Sequence, residues 1–394
     1  MRIQSVIYRQ LQGVMEHEGE FWEERLCRPL DVYPEHRAEG AGGLKRIGKD
    51  KYRMVSGFLQ IGTDDGVVGI AGPVTGSVGQ TILGSLKGLL IGQDPRAVEF
   101  LWDKMYRASV HGRKGETMMA ISAVDCALWD IRGKWANAPV YRLLGGPTRD
   151  RNQAYASMLG YAVDPPTASQ RAREHAAMGY RAQKWFFRAS PAEGPAGMEK
   201  NVALVRAVRE AMRPDDDLML DCWMSWDLRY AKLMAPRIAP YNPRWIEEPT
   251  LPDKYDIVAE IRRAMPFPVS NGEHEYTRWG FRRLLEIGAQ DVLQPDIYWA
   301  GGITEVLKIC ALASAYDIEV IPHGHSSHAT AHLIASQPPT LCPIQEYLVK
   351  WNTVHQFFFK DKVTPVDGFI TVPEAPGMGT EIDENLVEEE SVLE

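Results

Sequence analysis

Five short runs decide the fold of this chain: LMLDCWMSWD (218–227), RWIEEPTLP (244–252), VSNGEHEYTRW (269–279), VLQPDIYWAGG (292–302) and EVIPHGHSSH (319–328). Each is an apolar stretch that ends abruptly in an acidic residue or a histidine. The steps are regular: 26 residues from Asp221 to Glu247, 26 to Glu273, 23 to Asp296 and 27 to His323. Steps of that length suit one strand, one helix and the loops of a parallel βα repeat. A polar residue at the C-terminal end of successive strands is where a (β/α)₈ barrel places its catalytic groups. Five in register point to an active site.

Outward from these runs, residues 154–158 read as the first barrel strand, 181–187 as the second and 343–348 as the eighth. Amphipathic segments at 167–178, 199–212, 228–238, 255–265, 278–287 and 304–316 fit between strands as helices. The fold class is α/β: a (β/α)₈-type TIM barrel with an N-terminal α+β capping domain completed by the C-terminal tail. The expected division is a capping domain at 1–125, a barrel at 126–365 and a C-terminal segment at 366–394 that packs on the cap. In the cap, 3–11 reads as a strand and 58–70 as a hairpin turning at Asp64-Asp65-Gly66. Residues 80–108 carry a helical pattern, and the strongly apolar stretch 118–135 reads as a helix buried between two neighbours. Residues 16–54 show no clear periodicity and read as a long loop, either functional or disordered, and the acidic end of the chain reads as frayed.

Composition excludes several classes. The net charge of −8 and the lack of a basic tract give no electrostatic reason to expect a nucleic-acid partner. No run approaches the ~20 apolar residues of a membrane span, and the start of the chain lacks a signal-peptide core. Five scattered cysteines without a CxxC pair argue against a disulfide framework or a zinc knuckle and fit the cytoplasm.

Asp221, Glu247 and Glu273 fall at the ends of the third, fourth and fifth strands. Neighbouring strands lie ~4.8 Å apart, so three carboxylates at matching heights converge. Like charges that close repel unless a cation sits between them, and hard oxygen donors without thiolates favour Mg²⁺. The bland alternative, surface helix N-caps, suits any one of them better than all three. Glu248 is the adjacent carboxylate, and strand alternation aims it the other way. Asp296 and His323 end the sixth and seventh strands. An aspartate accepting a hydrogen bond from the imidazole would fix its tautomer and make it a general base; alone, a buried structural histidine would be the better reading. Lys184 on the second strand faces inward, where it could touch a substrate carboxylate, act as a base or form an ion pair. Glu346 on the eighth could hydrogen-bond a substrate oxygen. The histidines at 323, 325, 328 and 332 lack zinc-ligand spacing. Tryptophans 223, 226, 299 and 351 could wall a pocket or simply pack.

An α+β domain, the helix SAVDCALWDIRGK, then Asp221, the Glu-Glu-Pro step and Gly272-Glu273 resemble the enolase superfamily over essentially the whole chain. The histidine and aspartate at the seventh and sixth strand ends resemble its mandelate racemase group. DCWMS, GEH, QPDIYWAGG and PHG are most similar to the L-rhamnonate dehydratases and related sugar-acid dehydratases in that group. The resemblance implies Mg²⁺ on Asp221, Glu247 and Glu273, a His323–Asp296 base, and a small sugar-acid substrate that loses its C2 proton and C3 hydroxyl. It also implies that His274 and Glu346 contact substrate and that the enzyme is a homo-oligomer. Many relatives carry Lys-x-Lys on the second strand; here Lys184-Trp185-Phe186 lacks the second lysine, which counts against a racemase or epimerase. The cap loop is expected over the barrel mouth, with His36, Arg37, Tyr52 and Arg53 as specificity candidates. A non-catalytic sugar-acid-binding barrel is the alternative from another class, disfavoured by the intact metal and base residues.

Overall fold

The computed structural model describes residues 1–394. Its strands are β1 (Ile3–Glu16), β2 (Lys45–Gly48), β3 (Lys51–Thr63), β4 (Val68–Ala71), β5 (Arg151–Ser157), β6 (Ala182–Phe186), β7 (Asp217–Asp221), β8 (Trp245–Glu247), β9 (Val269–Asn271), β10 (Val292–Leu293), β11 (Glu319–Val320), β12 (Gln345–Leu348), β13 (Phe369–Thr371) and β14 (Glu389–Leu393). Two sheets result. The cap sheet is antiparallel, in the order β14-β1-β3-β2 with β4 on β3. The eight strands β5 to β12 are parallel and run in chain order, with β12 back beside β5. The ring has one thin seam, between β11 and β12. There a single backbone bond, Val320 N–H to the Leu341 carbonyl at 2.7 Å, takes the place of a ladder.

Side-chain alternation explains the packing. Tyr155, Ala182, Met219, Trp245, Val292, Ile321 and Ile344 point inward from seven of the eight barrel positions and fill the interior. Their neighbours, such as Trp185, Leu218, Leu220, Ile246 and Val269, face the surrounding helices. Strands β10 and β11 are only two residues long because Pro295 and Pro322 follow closely and have no N–H for a ladder.

The apolar helix Glu116–Trp135 buries 14 of its residues, more than one face of a helix can hold, so it lies between two bodies. On the cap side its Asp130 accepts the Ile70 N–H at 2.9 Å. On the barrel side Trp129 donates to Thr304 at 2.9 Å, and Asp125 accepts the Thr304 N–H at 2.9 Å. This helix joins cap to barrel.

The expected hairpin is present as β3 and β4 around Asp64-Asp65-Gly66. Two expectations need correction. The stretch 16–54 is not all loop: β2 and the start of β3 lie in it, paired antiparallel at its far end. The acidic end is not frayed. β14 pairs with β1 over five residues, and Arg9 reaches both Glu384 (2.9 Å) and Glu390 (2.5 Å), so acidic residues are what this edge requires. The tail also serves the barrel, because β13 pairs antiparallel with β5. No helix is long and apolar enough to cross a membrane.

The cap loop crosses the C-terminal ends of the barrel strands, as expected. Glu23 N–H donates to the Gly160 carbonyl (2.9 Å) beyond β5, and Cys27 N–H donates to the Phe187 carbonyl (2.7 Å) beyond β6. Lys350, just after β12, donates to the Phe21 carbonyl at 2.6 Å and pairs with Glu23 at 2.9 Å.

Candidate active site

Strand register builds the centre. Asp221 and Glu247 are paired residues on β7 and β8, and Phe186 is the partner of Asp221 on β6. Glu273 follows β9 by two residues; Asp296 and His323 each lie three beyond their strands. All five are buried or nearly so, and the main chain helps hold them. Asp221 accepts the Trp223 N–H (2.8 Å) and Asp296 the Tyr298 N–H (2.7 Å).

Lys184 sits among the carboxylates. Its ammonium contacts Glu247 closely, Glu346 at 2.8 Å and Asp221 at 3.6 Å, and the residue is only 3% exposed. Of the three roles open to it, this geometry favours the ion pair. Burial opposes its charge, but the surrounding Glu247, Glu346 and Asp221 carboxylates hold its pKa well above the usual lysine value. While those carboxylates are ionised it is held as a cation, which favours the ion-pair role over that of a base. The carboxylates pay for their burial in the other direction. Desolvation lifts Glu247 to about 8 and Asp221 to about 7, despite Lys184, with neighbouring carboxylates adding to the rise. A site that strains to hold negative charge is one a divalent cation would relax.

His323 forms the expected dyad: its Nδ1 lies 2.6 Å from Asp296, and its Nε2 points to Glu273 at 3.8 Å. Burial works against the imidazolium, yet Glu273 and Asp296 together raise its pKa to about 10. Neutralising Glu273 with a cation would remove one of those causes and free the base.

A second imidazole–carboxylate pair was not legible in the sequence. His274 Nδ1 lies 2.9 and 3.0 Å from the two oxygens of Glu248 and 3.6 Å from Glu273. Burial would lower the His274 pKa, but Glu248 and Glu273 bring it to about 9. Glu248 has φ +41°, a left-handed conformation at the strand end, and this breaks the alternation that would have turned it away. Ligand atoms of Glu248, Glu273 and His274 lie within 4.8 Å of one another, so Glu248 joins the groups that could hold a metal. Glu247 has its oxygens shared among Lys184, Trp245 Nε1 (3.0 Å) and Gln294 Nε2 (2.9 Å). Gln294 is a further residue that sequence reading missed.

Trp299 lies against three imidazoles, with ring centroids at 5.1 Å from His323 and 5.6 Å from His274 and His325. From His325 an aromatic wall continues through His355 (4.6 Å) and Trp351 to Trp22 of the cap loop (4.6 Å from Trp351). Glu346 accepts the Gly324 N–H at 2.9 Å on one oxygen, while the other faces Lys184.

The remaining candidates lie elsewhere. Arg37 donates to the Asp31 and Val32 carbonyls of its own loop (2.8 Å each), and His36 contacts Glu39 at 2.5 Å. Arg37 lines a cavity of about 690 Å³ at the barrel's outer edge with Arg188 and Lys200. Two of these three charges are paired, Arg188 with Glu24 (3.0 Å) and Lys200 with Glu193 (3.4 Å). Tyr52 braces the loop base at the Gly19 carbonyl, and Arg53 pairs with Glu388 at 3.0 Å. His328 and His332 are bonded to the Asp361 and Met378 carbonyls, away from any zinc arrangement.

Residues 167–386 match the enolase C-terminal domain-like family, and residues 49–145 match the mandelate racemase / muconate lactonizing enzyme N-terminal domain. The chain belongs to the enolase superfamily. An L-rhamnonate dehydratase of Saccharopolyspora erythraea is 37% identical to this enolase-superfamily chain, over 93% of its length and 91% of the relative's. The structure of the Gibberella zeae rhamnonate dehydratase complexed with Mg superposes with a TM-score of 0.85 at 33% identity, covering 98% of this chain and 95% of that one. A Streptomyces coelicolor A3(2) racemase with bound magnesium gives 0.79 at 27% identity, covering 98% of each.

Proposed function

We propose that this chain is a Mg²⁺-dependent sugar-acid dehydratase of the L-rhamnonate dehydratase kind. The observation that carries it is the aim of His323 Nε2, 3.8 Å from Glu273, at the edge of a buried carboxylate cluster. Hard, buried oxygens on Asp221, Glu247 and Glu273 are assigned to the metal because such donors favour Mg²⁺, and Glu248, whose carboxylate lies beside Glu273, is a further oxygen donor within reach. When bound, Mg²⁺ would supply positive charge for the substrate carboxylate and for the enediolate formed as the C2 proton leaves.

The residues do the rest. His323, oriented by Asp296, takes the C2 proton, and the electrons of the C–H bond pass into the C1–C2 bond of the enediolate. As the electrons return, a C2–C3 double bond forms and the C3–O bond breaks. The departing hydroxide takes the proton from His323 and leaves as water, and the enol becomes a 2-keto-3-deoxy acid. Lys184 holds Glu247, Glu346 and Asp221 in place. Trp299 packs against the His323 and His274 rings, Trp351 against Trp22 of the cap loop, and His274 and Glu346 are assigned to substrate contact.

A panel of aldonic and aldaric acids with Mg²⁺, read as 2-keto-3-deoxy semicarbazones, tests this. Turnover on L-rhamnonate or a close stereoisomer, lost in EDTA and recovered with Mg²⁺, is the expected result; no product from any acid would overturn it. The His274–Glu248 pair gives a racemase reading one observation in its favour, since two-faced chemistry needs a second acid–base group. C2 exchange in D₂O without dehydration would select that reading. The proposal includes the division of the chain at 1–125, 126–365 and 366–394. It also includes a homo-oligomer working in the cytoplasm without nucleic-acid partners, for which light scattering tests the assembly.

A further inference from the structure

The segment Gly272–Glu275, which carries Glu273 and His274, is tied down from outside the barrel. Glu275 N–H donates to the Gly272 carbonyl at 3.1 Å and closes a turn. The Glu275 side chain then folds back under the segment, where the residue is 3% exposed. One of its oxygens accepts the Tyr276 N–H at 2.7 Å and the Lys114 ammonium at 2.8 Å, and the other accepts the Tyr255 hydroxyl. Lys114 also lies 3.3 Å from the Tyr255 oxygen, which makes the three groups a closed set.

The partners come from three separate places. Lys114 belongs to the cap, in the segment between helices Val98–Ala108 and Glu116–Trp135. Tyr255 opens the helix Tyr255–Ala264 after β8. Gly280, in the helix Thr277–Glu286, makes room for the carboxylate, because any β-carbon there would overlap Glu275. A glycine weakens a helix interior, so its place here answers to that packing. All of this polar bonding is spent two residues from Glu273 and none of it on substrate.

We propose that Lys114 is a positioning residue: its ion pair with Glu275 couples the cap to the Gly272–Glu275 turn and thereby fixes Glu273 for cation binding. The inference rests on the reading of Glu273 as a cation-holding carboxylate. Without Lys114 a buried carboxylate loses its only cation, and the turn must shift to bring the carboxylate to solvent. That shift loosens the residues on which Glu273 depends.

The test is calorimetric titration of the full-length protein with Mg²⁺ alone, without substrate. Lys114→Met should raise the Mg²⁺ Kd about tenfold, the scale on which groups behind metal ligands act. Lys114→Arg should restore binding, and Tyr255→Phe should weaken it less than Lys114→Met. Lys114 is half exposed, so the Lys114 variants are expected to keep the wild-type circular dichroism, and Tm is measured beside the Mg²⁺ titration because Glu275 itself is buried. Glu273→Gln serves as the control. If Glu273→Gln binds weakly while Lys114→Met binds like wild type, the positioning role is wrong. If Glu273→Gln itself binds like wild type, the assignment of Glu273 falls and this inference falls with it.

Discussion

Replacing Lys184 with methionine removes the one cation from a cluster of three buried carboxylates, and the structure sets the size and the pH dependence of the effect. Lys184 is 3% exposed and contacts Glu247, Glu346 and Asp221, so no water replaces it. Breaking a buried pair from one side costs about 3–5 kcal/mol, because the partner charge is left uncompensated. That cost depends on the carboxylates being ionised. Desolvation already places Glu247 at about 8 and Asp221 at about 7 with the lysine present; without it both rise further. A group whose folded pKa is raised contributes stability below its unfolded value and loses it as pH rises through the folded value. The variant should therefore be hurt most near pH 8 and least near pH 6, where the carboxyls accept protons. Wild type takes up part of these protons over the same range, so the penalty should shrink only by the protons the variant binds beyond wild type, at ~1.4 kcal/mol per pH unit per proton. Urea unfolding of both proteins in EDTA at pH 6 and pH 8 measures it. A loss below about 1 kcal/mol at pH 8, or an equal loss at both pH values, would refute the ion-pair role of Lys184.

Two further predictions concern residues away from the chemistry. His332 is fully buried between the Tyr141 N–H and the Met378 carbonyl, both at 3.3 Å, and burial depresses its pKa to about 3. A histidine with a depressed folded pKa contributes stability above its unfolded value of about 6.5 and loses it as pH falls, so wild type should lose about 2 kcal/mol between pH 6.5 and 5 from this group. His332→Asn should flatten that acid slope in urea titrations, and an unchanged slope would count against the assignment. Gly160 has φ +93°, and a β-carbon there would come within 2.5 Å of the Trp22 ring. Gly160→Ala should therefore lift the cap loop from the barrel mouth and raise KM more than it lowers kcat; an unchanged KM would show that Trp22 does not shape the pocket.

The parts of the site that follow strand periodicity were legible in the sequence. Asp221 and Glu247 end adjacent strands at paired positions, so a count along the chain brings them together. Asp296 and His323 follow the same logic one turn further round. What was hidden depends on backbone geometry that no spacing encodes. Glu248 enters the site because its φ is positive, and Gln294 reaches Glu247 from beyond the end of β10. The cap loop was opaque for a different reason. Its order comes from distant partners: Lys350 on the Phe21 carbonyl, and Gly43 and Gly160 making room for Trp22. His36 and Arg37 looked like specificity residues because they are polar and unpatterned, yet they are spent on the loop's own bonds. The acidic end of the tail reads as frayed from sequence because its counter-charge, Arg9, lies at the far end of the chain.

The central claim is that His323 removes the C2 proton. Incubating wild type and His323→Asn with Mg²⁺ and the best acid substrate in D₂O, and following C2 exchange and product by NMR, tests it directly. The variant should fold normally and lose exchange and dehydration together, by at least about 10²-fold, the contribution expected of a positioned general base. Exchange at the wild-type rate in His323→Asn would contradict the account.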